Sequence, residues 1–210
     1  MAAKPDVDAF LARHAVFTLT RTARLPCLVD WIAGATVRGS WWAHPKGGAI
    51  FAAASALEDR DDVLVTKWVD GKVTFIRRDL WPALYRVVSD SAQHTSLRAS
   101  LGAAARTLWD RVEADGALRF DVVRAECATP AARRALSRAR TELERACAIV
   151  VASEHTESGR HEVTLRSWKK WAPRAVVAAA GKLSLDTARE QLERAGLPTE
   201  VQRKPRSKIS

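Results

Sequence analysis

Val63-Leu64-Val65-Thr66-Lys67-Trp68-Val69, Asp70-Gly71, Lys72-Val73-Thr74-Phe75-Ile76-Arg77-Arg78: two runs rich in β-branched and aromatic residues flank one Asp-Gly pair. A two-residue loop of a right-twisted hairpin needs positive φ at both positions, which Asp-Gly tolerates, so the stretch reads as a hairpin with a type I′ turn. Upstream, Lys46 to Glu58 is a helix whose middle, Ala49 to Leu57, is almost wholly apolar and should be buried. Pro26 to Gly34 is a shorter helix with Pro at its start and Gly at its stop. Phe10, Leu11, Ala15, Val16 and Leu19 have helical spacing, which predicts a helix over Asp6 to Thr20. Downstream, Asp79 is placed to cap a helix from Leu80 to Val88, with Trp81 and Pro82 in its first turn.

The second half repeats the order. Ser89 to Ser96 is polar and reads as a loop. Leu101, Ala104, Ala105, Leu108 and Val112 form the apolar face of a helix from Leu97 to Ala114, stopped by Gly116. Phe120 to Ala125 is a short helix, and Thr129-Pro130 opens another that runs to Cys147. Ala148 to Ser153 and His161 to Leu165 are strands about the turn Glu157-Ser158-Gly159-Arg160, followed by helices over Trp168 to Ala180 and Leu185 to Ala195. Each half has a helix, a hairpin, then a helix opening on Trp; helix, helix, helix, hairpin is the winged-helix order, and the second half matches it better, because three helices clearly precede its hairpin. The fold class expected is mainly α with small β-hairpins (α+β), as tandem winged-helix modules: residues 1–90, residues 97–197, and a basic disordered tail at 198–210.

The formal net charge is +10, and Arg203, Lys204, Arg206 and Lys208 supply four of these charges. Such a surplus points to a polyanion partner, but only if it is clustered. Apolar stretches are too short for a membrane span, which needs about 20 residues. Met1 to Asp8 has no apolar run, so no secretory signal is read and the expected compartment is cytoplasmic. Cys27, Cys127 and Cys147 form no Cys-x-x-Cys pair and read as small core residues. His155 and His161 match no zinc spacing, so neither metal nor cofactor is expected. A Gly-rich phosphate loop, a Gly-x-Ser-x-Gly elbow and a His-Glu-x-x-His motif are all missing. Asp30 and His44 could form an acid–base site, but nothing in their spacing requires it.

The helix from Pro130 carries the strongest candidate site. Ala132, Ala135, Leu136, Ala139, Leu143, Ala146 and Cys147 share one face. Arg134, Arg138, Thr141 and Arg145 form a row opposite, with Arg133, Ser137 and Arg140 beside it. In a winged helix this is the recognition position, where Arg reaches guanine edges or phosphates. The alternative is a solvated face with Arg138–Glu142 and Arg140–Glu144 as surface pairs. Arg160 and His161 in the second hairpin and Lys67 and Lys72 in the first complete the nucleic-acid-binding set. A separate candidate pocket is Arg38, Trp41, Trp42 and His44, where paired indoles could stack on a base or anchor a core turn.

The helix and hairpin pattern resembles the winged-helix superfamily. Leu25-Pro26-Cys27-Leu28-Val29-Asp30-Trp31-Ile32-Ala33-Gly34 with Arg38 to Pro45, and Glu142-Leu143-Glu144 with His155 to His161, resemble a bacterial winged-helix group over most of residues 25–172. The chain is more distantly similar to bacterial winged-helix DNA glycosylases that unhook crosslinks. Their catalytic Gln-x-Gln has no match, since Gln93, Gln191 and Gln202 stand alone, so the resemblance implies no carry-over of that activity. The leading expectation is a DNA-binding protein, regulatory or accessory to repair, acting on duplex DNA. A DNA glycosylase-like or other base-binding enzyme using the Trp41–His44 loop, and a protein-interaction module on the same fold, are the alternatives.

Overall fold

The computed structural model describes residues 5–155 and 161–199; side chains at 153–155 and 161 are not described. The expected turn at Glu157 to Arg160 and the tail from 200 lie outside these residues.

The first unit comprises α1 (Val7–Arg13), β1 (Val16–Thr18), α2 (Leu28–Ala33), a 3₁₀ turn at Trp41–Ala43, α3 (Gly47–Glu58), β2 (Val63–Thr66) and β3 (Thr74–Arg77). Two connecting helices follow, α4 (Trp81–Val88) and α5 (Ser91–Ser100). The second unit comprises α6 (Ala103–Asp115), β4 (Ala117–Arg119), α7 (Phe120–Ala125), α8 (Pro130–Arg145), β5 (Val150–His155) and β6 (His161–Arg166). The chain then closes with α9 (Trp168–Trp171), α10 (Arg174–Ala180) and α11 (Leu185–Arg194). The fold is mainly helical α+β with two small antiparallel sheets. Each unit runs helix, strand, helix, helix, strand, strand. Each sheet is ordered first, third, second: β1-β3-β2 and β4-β6-β5. Among the described residues no helix is long and apolar enough to cross a membrane.

The hairpin turn is as expected. Asp70 and Gly71 have φ of 52° and 68°, and Lys72 N–H donates to the Val69 carbonyl at 2.9 Å, the mark of a type I′ turn. The register departs from a plain two-residue loop, which would set Thr66 opposite Phe75. Thr66 faces Thr74 instead, so the outgoing arm holds one extra residue. Trp68 and Val69, in that arm, are buried.

Several local expectations are corrected. The helix expected over Asp6 to Thr20 stops at Arg13, and Val16-Phe17-Thr18 forms β1, buried throughout and paired with β3. These β-branched and aromatic residues fit a ladder, and their partner lies some 60 positions away, beyond the reach of local periodicity. The expected loop at Ser89 to Ser96 is largely helical, since the Asp90 carboxylate accepts from Gln93 N–H at 3.1 Å and caps α5. Only Leu97 of α5 is buried, so no apolar stripe signalled it. The helix expected from Leu97 to Ala114 is broken at Leu101-Gly102, both extended. Asp79 does not cap α4, because both its oxygens accept from Arg77 at 2.8 Å. Pro173 splits the helix expected over Trp168 to Ala180, since the residue before Pro avoids the helical region. Of the three thiols only Cys147 is fully buried, and burial pushes its pKa up.

The apolar side chains form three clusters. Phe17, Leu28, Ile50, Leu57 and Phe75 centre the first unit. Leu108, Trp109, Val112, Leu143 and Leu165 centre the second. The third joins Trp68, Ile76, Trp81 and Leu84 to Val150, Trp168, Val176 and Leu192, from opposite ends of the chain. Each large side chain buried there stabilises by about 1.5–3 kcal/mol. The Trp81 indole N–H donates to the Ile76 carbonyl at 3.1 Å and that of Trp168 to the Cys147 carbonyl at 2.7 Å. Trp171 meets both rings edge-on, at 5.0 and 5.2 Å. The Trp that opens the helix after each hairpin is therefore a core anchor in both units.

Candidate nucleic-acid interface

Thr129 starts α8, its hydroxyl accepting from Ala132 N–H at 3.1 Å, with Pro130 in the first turn. Ala139 and Leu143 are buried in the core of the second unit, which turns Arg133, Arg134 and Arg138 to solvent. Those three, with Ser137 and Pro130, line a groove of about 400 Å³ whose other wall is Arg124 of α7. Sequence reading missed Arg124. The signal was present: only four residues separate the end of α7 from Pro130, so its last turn must flank the start of α8.

None of these four guanidinium groups is ion-paired to a described carboxylate. Elsewhere pairing is common: Arg98 holds Asp110, Arg111 holds Glu126, and Arg119 holds Asp121 and Glu162. The Arg138–Glu142 surface pair does not form, because the Glu142 carboxylate accepts from Gly102 N–H at 2.9 Å and caps α6. Arg133 Nε donates to the Cys127 carbonyl at 3.3 Å, which holds its side chain against the α7–α8 loop. The hydroxyls of Ser137 and Thr141 donate to the carbonyls one turn back, at 3.0 and 3.1 Å, leaving their oxygens as acceptors.

Other expected residues are placed elsewhere. Arg140 lies 4.7 Å over the Phe120 ring, with Nε 3.5 Å from Glu144. That pair exists, but Glu144 is only 5% exposed, so it is not a surface pair. Lys67 Nζ contacts the same carboxylate at 3.0 Å. Arg145 reaches the first hairpin: its Nε is 2.7 Å from where a Cβ on Gly71 would stand. Lys72 is exposed beside that turn. Arg160 lies outside the described residues, as does the His161 side chain.

Around the Trp41–His44 loop, the two indoles stack on each other at 4.1 Å and 23°. That separation leaves no room for a third ring between them. Trp42 is 63% exposed, so its outer face is open beside Phe51. His44 Nδ1 accepts from Lys46 N–H at 3.1 Å, and Arg38 is exposed. Asp30 is bound by Arg21 Nε at 2.8 Å and Val37 N–H at 2.9 Å. Burial pushes its carboxyl up, but these donors outweigh that and hold it below the ordinary range. It fixes the loop.

The chain thus holds two similarly ordered units, with a groove of four arginines, none paired to a described carboxylate, where α7 meets α8. The family model described as AlkZ related matches residues 25–206, and the chain belongs to that family. AlkZ itself is a DNA crosslink-repair glycosylase. No curated protein and no solved structure matches the chain.

Proposed function

We propose that the chain is a DNA-binding protein associated with repair, built from tandem winged-helix modules, in which α8 lies against duplex DNA. The observation that carries the reading is the groove of Arg124, Arg133, Arg134 and Arg138, without a described carboxylate partner on any of them. Four uncompensated guanidinium groups in one groove give a local positive potential, and the planar fork of each matches phosphate oxygens. The repeated order of elements and the sheet order support the winged-helix reading, and the AlkZ-related family supports a role on DNA. The chain has no Gln-x-Gln, so the proposed role is binding rather than base excision.

The test is fluorescence anisotropy with a duplex across salt concentrations, comparing Arg124→Ala/Arg134→Ala/Arg138→Ala with wild type. Both proteins end at residue 199, which removes the four basic tail residues. Removing one cation that neutralises a phosphate lowers the salt slope of log K by about 0.9 on duplex DNA. A folded variant with unchanged slope and affinity would overturn the proposal.

A further inference from the structure

We infer that the cleft between the two sheets binds a small amphipathic molecule carrying one anionic group. The cleft encloses about 430 Å³ and runs along β2 on one side and β5 on the other. That volume lies in the range of small-molecule sites, which are mostly apolar with a few convergent polar groups. Both walls are edge strands, since β2 and β5 are the last strands of their sheets. Arg77 N–H donates to Ala15 on the β1 side and Arg78 N–H to Asp62 on the β2 side. By alternation, Leu64 and Thr66 pair with β3, and the N–H and C=O of Val65 are directed outward. Ser167 N–H donates to Gly116 on the β4 side, which by the same alternation turns the N–H and C=O of Val151 outward from β6. Val65 and Val151 both line the cleft.

The polar end is built from Lys67 and Glu144. The Glu144 carboxylate is buried and held by Lys67 at 3.0 Å and Arg140 at 3.5 Å, so one carboxylate faces two cations. Lys67 spends one N–H on Glu144 and stays 40% exposed, with two donors left to offer. Glu58 and Arg166 also line the cleft and have contacts of their own. Lys67 and Arg166 balance Glu58 and Glu144 along the lining, so the pull on an anionic head comes from the two remaining Lys67 donors and not from a net charge of the cleft. An anionic head on Lys67, with an apolar body against the valines and Trp171, satisfies both ends of the site. The arginine groove is lined by none of these residues, so this site stands or falls independently of DNA binding.

The test is calorimetric titration of the full chain with indole-3-acetate and with its neutral isostere indole-3-acetamide. The acetate is expected to bind about tenfold tighter, the worth of one charge-assisted hydrogen bond. Lys67→Gln should bring the two affinities together, and Val151→Phe, which fills the cleft, should weaken both by about tenfold with circular dichroism unchanged. Equal affinities in wild type, binding of neither compound, or full binding in folded Val151→Phe would overturn the inference. If Val151→Phe does not fold, the acetate-to-acetamide ratio in wild type and in Lys67→Gln decides.

Discussion

The Lys67 ammonium and the Glu144 carboxylate meet at 3.0 Å across the boundary between the two units, one following β2 and the other in the last turn of α8. Their exposures differ: 40% for the Lys67 side chain and 5% for that of Glu144. Removing either partner should therefore have unequal effects. Lys67→Met leaves a buried carboxylate with only Arg140 and should cost about 1–3 kcal/mol. Glu144→Gln leaves Lys67 to water and still turns an amide oxygen toward the half-buried Arg140, and should cost less, about 1 kcal/mol. Urea denaturation of both variants checks this. Equal destabilisation would mean that the pair acts through packing instead.

Gly71 and Arg145 meet at a second junction between units. Gly71 has φ of 68°, and the Arg145 guanidinium occupies the space a Cβ would enter. A flexible side-chain end can swing away, whereas the backbone cannot. Gly71→Ala should thus destabilise by about 1–2 kcal/mol, set by the left-handed backbone. Adding Arg145→Ala should relieve less than about 0.5 kcal/mol of it in a double-mutant cycle.

Asp30 should contribute to the acid limb of stability. Its carboxyl is held below the ordinary range by Val37 N–H and Arg21 against the opposing effect of burial. A depressed folded-state pKa adds stability that is fully present above the unfolded-state value, about pH 4, and is lost as pH falls through the folded value. Asp30→Asn should lower stability at pH 6 and flatten the decline as pH falls below about 4. Parallel pH profiles for the two proteins would show that these hydrogen bonds contribute nothing differential.

What the sequence revealed and concealed follows from the range of each interaction. The Asp70-Gly71 turn, the Thr129 cap and the Gly34 stop are set by a few adjacent residues, and all three are present. β1 and β4 are three residues long and exist only by pairing with strands distant in sequence. The Arg row on α8 was legible as a row. Its division was not, because periodicity places side chains on a face without naming the neighbours. Phe120 and Glu144 take Arg140, the first hairpin takes Arg145, and Arg124 arrives from another helix.

That division gives the sharpest prediction. Arg124 and Arg140 are both arginines of the second unit, and composition cannot separate them. Arg124 is exposed in the groove without a described ion pair. Its replacement by Ala leaves the core intact and should change stability by less than about 0.5 kcal/mol. It should lower the duplex salt slope by about 0.9. Arg140 is half-buried, stacked on Phe120 at 4.7 Å and beside buried Glu144. Arg140→Ala removes that cation–π interaction and one of two cations facing a buried carboxylate, and should cost about 1–3 kcal/mol. Its duplex salt slope should match that of wild type. Measuring denaturation and salt-dependent binding on both variants gives a crossed pattern, with stability reduced in one and phosphate binding reduced in the other. If Arg140→Ala lowers the slope and Arg124→Ala does not, the DNA-facing surface lies on the other side of α8.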